Sequence, residues 1–87
     1  MTDIDQYKQL MTDVIQKQIV ILGPQIALLK ARNVQGLALD DLGNVTSVMG
    51  EPQELLQKLV SEYVSLSGEI VKKAMEPLLN KYPSIKV

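Results

Sequence analysis

The feature that most limits how this chain can fold is the width of the apolar stripe over residues 52–80. Laid out at roughly 100° per residue, its apolar positions from Leu55 to Leu78 cover an arc of about 200°. Leu56, Leu59, Val60, Tyr63, Val64, Ile70, Val71 and Met75 all fall inside it. Gln57, Lys58, Ser61, Glu62, Ser65, Glu69, Lys72 and Glu76 fill the remainder. A helix that faces a single core needs a stripe only somewhat over about 100° wide. The sequence therefore predicts that this helix touches more than one neighbour. Glu51-Pro52 opens it, because proline suits a first helical turn. Pro77 bends its last turns, Asn80 and Pro83 mark the stop, and residues 81–87 form a short tail.

The first part of the chain also reads as helix, over about residues 3–32. Thr2 followed by Asp5 resembles a capping box, with Asp in the usual Glu or Gln place. Ile4, Tyr7, Met11, Val14, Ile15, Ile21 and Leu22 recur at helical spacing. Lys30 and Arg32 come near the end, where cations favour the helix dipole. Gly23-Pro24 interrupts this pattern. A proline inside a helix removes one hydrogen bond and clashes one turn back. Either the helix kinks there or it breaks into two at Gly23. The apolar positions continue through Ile26, Leu28 and Leu29, so the expectation is a single helix kinked at 23–24.

Between the helices the pattern changes. Gly36, Gly43 and Gly50 punctuate residues 36–49, with two short runs, Leu37-Ala38-Leu39 and Val45-Thr46-Ser47-Val48, able to extend. Asp40-Asp41-Leu42-Gly43 fits a type I turn with a left-handed glycine after it, the common three-residue hairpin loop. A β-hairpin is expected here. So short a hairpin is marginal alone and must lie on something else.

These elements give a mainly α fold: long helix, short β-hairpin, long helix, in one domain spanning residues 1–87. About 29 helical residues span roughly 43 Å, so two such helices make a one-layer hairpin with an uncovered apolar side. A second copy covers it, giving a two-fold dimer and a four-helix bundle. The interface and core would include Val14, Ile21 and Leu22 with the eight residues named from the second helix. If the first helix instead breaks at Gly23, a three-helix monomer becomes possible. In the antiparallel hairpin, Lys30 and Arg32 would stand beside Glu51 and Glu54.

Composition removes most chemistry. There is no Cys, His, Trp or Phe, so the 46% apolar content must build an aliphatic core around Tyr7, Tyr63 and Tyr82. Without thiol or imidazole there is no His/Cys metal site and no Cys or Ser–His nucleophile. A formal charge of −1 without a basic block gives no footprint for nucleic acid. No run reaches the ~18 apolar residues of a membrane span. The start lacks a basic signal-peptide region. A cytoplasmic location is expected, with no cofactor and no metal.

Three constellations have a structural reading that accounts for them without chemistry. Asp40, Asp41 and Asn44 cluster oxygen ligands in one loop, but the spacing fits no EF-hand and suits turn chemistry. Glu62, Glu69 and Glu76 stand seven apart on the polar side and read as a solvated face. Gly23-Pro24 reads as a kink shaped for packing rather than a functional hinge. What remains is a non-enzymatic protein–protein interaction module: a small homodimeric adaptor, scaffold or regulatory subunit. The alternative is a helical bundle whose aliphatic cavity holds a small ligand or lipid tail.

Overall fold

A computed structural model describes residues 4–67 of the chain. The elements in order are α1 (Ile4–Leu22), α2 (Pro24–Arg32), β1 (Leu37–Leu39), β2 (Val45–Val48) and α3 (Pro52–Ser67). The fold is mainly helical with a small two-stranded antiparallel sheet. The expected capping box at Thr2 and the residues 68–80 of the second predicted helix lie outside the described residues, as does the tail.

The single kinked helix over 3–32 is corrected to two helices. Gly23 adopts φ 89° and ψ 155°, a combination that belongs almost entirely to glycine. The chain reverses there, and α2 packs against α1. Hydrogen bonding survives on either side of the reversal: Gly23 N–H donates to Ile19 O at 2.9 Å, and Ala27 N–H donates to Gly23 O at 3.1 Å. Pro24 then takes the first position of α2, where its missing N–H costs nothing and its fixed φ is already helical. Gly-Pro works here as the stop of one helix and the start of the next.

This reversal supplies the neighbours that the broad stripe of α3 requires. α3 packs against both α1 and α2. Leu55, Leu56, Leu59 and Tyr63 are buried, joined by Leu10, Met11, Val14 and Ile15 of α1 and Ala27, Leu28 and Ala31 of α2. The long one-layer hairpin is thus replaced by three helices around one core.

The expected hairpin is present, with the expected loop. Asp40 N–H donates to Asn44 O at 3.0 Å, Gly43 N–H donates to Asp40 O at 3.2 Å, and Gly43 has φ 88°. β1 and β2 pair Leu37 with Val48, Ala38 with Ser47 and Leu39 with Val45, so Thr46 is an extra residue forming a bulge. The strands lie on α1 and α2. Thr12 Oγ1 of α1 accepts the buried Val45 N–H at 2.9 Å, and Gln16 Nε2 donates to Asn44 Oδ1 at 3.1 Å. Residues from one face of α1 therefore fix the hairpin in place.

The charge pairing differs from the sequence expectation. Lys30 meets Glu62 at 3.8 Å and Arg32 meets Asp41 at 3.0 Å, rather than Glu51 and Glu54. The offset of α3 explains it. Leu55, in the first turn of α3, packs beside Gly36, beyond the end of α2. Glu51 and Glu54 consequently start past Arg32.

A Cβ at position 23 would meet no atom within 4 Å, so substitution there tests the backbone alone. Gly23→Ala is expected to lower stability by about 1–3 kcal/mol through its disallowed dihedrals. Urea unfolding checks this; an unchanged midpoint would refute the reversal as drawn.

Candidate functional site

The residues expected at an interface or core separate into three groups. Val14, Leu56, Leu59 and Tyr63 are buried within a single chain; Leu22, Val60 and Val64 are half-buried; Ile21 stays exposed. Ile70, Val71 and Met75 lie outside the described residues. Gly23 and Pro24 form the reversal.

Around that reversal the surface is aliphatic. Val20 is 81% exposed, Leu29 60%, Ile26 47%, and Leu66 of α3 46%. The segment from Gln18 to Leu29 carries no charged residue. Depletion of charge is the compositional mark of an interface centre, where a charge would have to be desolvated. Basic residues bound the segment, with Lys17 before it and Lys30 after it.

Two contacts fix how α3 approaches this corner. Tyr63 Oη donates to Ala27 O at 2.7 Å, and Lys30 pairs with Glu62. With Leu55 beside Gly36, they show that α2 and α3 run antiparallel. Position 63 is level with position 27, so four residues further along α3 the chain reaches the level of Gly23. Burial pushes the Tyr63 hydroxyl well above its ordinary value of 10.0.

The oxygen cluster in the hairpin is occupied by its own loop. Asp40 Oδ1 accepts the N–H groups of Leu42 and Asn44, both at 2.9 Å, and Asp40 Oδ2 accepts Asn44 Nδ2 at 3.1 Å. The Asn44 backbone and side-chain amides hold the Asp40 carboxyl below its ordinary range. Asp41 faces Arg32. These are turn bonds of the kind Asp commonly makes. Among the described residues no three acidic side chains cluster to hold a metal, and no pocket opens. Glu62 is not merely solvated, since it pairs with Lys30.

Sequence reasoning missed Gln18. It is fully buried, and neither its Nε2 nor its Oε1 has a hydrogen-bond partner. Its position supplies the only signal: it falls on the inward stripe of α1, one turn after Val14 and one before Leu22.

Comparisons with protein families, with curated proteins and with solved structures find no match to this chain.

An orphaned buried carboxamide costs about 1–3 kcal/mol. Gln18→Met keeps most of the volume and removes that cost, so its urea midpoint is expected to rise with an unchanged slope. No rise would show that the amide is satisfied in solution. Tyr63 predicts an alkaline limit. The unfolded chain ionises its tyrosines near 10.0 while folded Tyr63 stays protonated. Stability is unaffected by this group below that pH and falls as pH rises above it. Tyr63→Phe is expected to lessen the fall, measured by thermal melts between pH 8 and about 11.

Proposed function

We propose that the chain is a non-enzymatic protein–protein interaction module, a small cytoplasmic adaptor, scaffold or regulatory subunit that works as a homodimer. The observation that carries this reading is the charge-free aliphatic corner at Gly23, with Val20, Ile26 and Leu29 open to solvent. Surface aliphatics scattered singly need no explanation, but these fall within ten residues of one reversal. The sequence beyond Ser67 supports it. Ile70, Val71, Ala74, Met75 and Leu78 continue the helical spacing of α3. Two copies that bury these apolar surfaces against each other would form the homodimer.

The non-enzymatic reading is supported by how the candidate catalytic side chains are engaged. Asp40 and Asp41 are committed to the loop and to Arg32, and Tyr63 is buried with its hydroxyl donated to a backbone carbonyl. The cavity alternative finds no pocket among the described residues.

Light scattering on the purified full chain tests the proposal. The expected mass at micromolar concentration is twice the 9.7 kDa of one chain. A folded, helical species at the mass of one chain would overturn it.

A further inference from the structure

We propose that the homodimer forms by exchange of α1: each copy's Ile4–Leu22 leaves its own α2 and packs on α2, the hairpin and α3 of the other copy. This rests on the homodimer reading above and specifies its contact.

The hinge is a single bond. Gly23 has ψ 155°, already the extended value that a residue before proline prefers; only its φ of 89° is unusual. Rotating φ to the ordinary negative range swings α1 away from α2 and leaves both helices intact. The two backbone hydrogen bonds at the corner survive that rotation. The Gly23 N–H that bonds Ile19 O moves with α1, and the Gly23 carbonyl that accepts Ala27 N–H stays with α2. Pro24 keeps its place as the first residue of α2. Short hinges of this kind favour exchange between copies.

Everything α1 holds in the closed chain is offered again by a second copy. α1 packs on α2, β2 and α3. Its polar ties to the hairpin are Thr12 Oγ1 with Val45 N–H at 2.9 Å and Gln16 Nε2 with Asn44 Oδ1 at 3.1 Å. The same surfaces of the partner copy make the same contacts, so exchange loses none of them. It also adds one. A single residue spans at most about 3.6 Å, so a chain that crosses between two bodies at Gly23 holds them together at that corner. There the exposed Val20, Ile26 and Leu29 of both copies come together, and the stretch from Gln18 to Leu29 brings no charge to desolvate.

The chain has no cysteine, so introduced thiols report alone. Gln16→Cys and Asn44→Cys together in one full chain place two thiols where α1 meets the hairpin, to be joined by a short bis-maleimide. Exchange predicts that the link joins two chains, giving twice the single-chain mass on a denaturing gel, while each single variant stays at the single-chain mass. A wild-type dimer whose double variant links only within one chain would overturn the exchange and leave the homodimer in place. A monomeric wild type would overturn the homodimer and the exchange together. Gly23→Ala gives a second readout. Alanine penalises the positive φ of the closed chain, the form present at high dilution, so its loss of stability belongs to that form. In the exchanged dimer alanine settles in extended backbone before Pro24. The Gly23→Ala dimer is therefore expected to dissociate at a concentration roughly tenfold lower than wild type, read by sedimentation. Dissociation at an equal or higher concentration would overturn the exchange.

Discussion

One backbone conformation sets the rest of this architecture. With φ 89° and ψ 155°, Gly23 turns α2 back on α1 within a single residue. Without that reversal α1 and α2 would form one rod, and α3 would lose its packing against α2. With it, Ala27 and Ala31 come to face the core, where their small side chains let the helices approach closely. Pro24 reinforces the turn, since continuing the helix would place its ring against the preceding turn. Gly23 permits the reversal and Pro24 disfavours the alternative.

Much of the local structure was legible. The Asp40–Gly43 loop was readable because Asp as first residue and glycine at positive φ are demanded by the turn itself. Pro52 marked the start of α3, and the breadth of its apolar arc called for two neighbours. The kind of neighbour was less legible. A kink and a break use the same Gly-Pro pair, and the apolar spacing on either side cannot separate them. The difference lies in the dihedrals of one residue, which no periodicity reports. Once the break was missed, the partners of Lys30 and Arg32 followed wrongly, because ion pairs inherit the register of the helices that carry them.

The polar residues of the core show a related limit. Thr12 and Gln18 both sit on the buried side of α1. Thr12 is bonded to Val45 N–H, thirty-three residues away, while Gln18 is bonded to nothing. Their setting is alike: each is a polar residue on the otherwise aliphatic inward stripe of α1. Only the tertiary position of the β2 backbone distinguishes a well-used hydroxyl from an orphaned amide. The candidate site was legible to the same degree. Val20 and Ile26 belong to the densest apolar run in the chain, yet which of its residues face outward depends on the reversal.

Ala27 links the Gly23 turn to α3. Its amide donates to Gly23 O, and its carbonyl accepts the hydroxyl of Tyr63. One small residue thus ties the shape of the turn to the docking of α3. Load applied along α3 by any bound chain passes in part through that hydroxyl into the residue whose amide bonds Gly23. The corner and the third helix are thus joined at one residue, and a change at either is felt at the other.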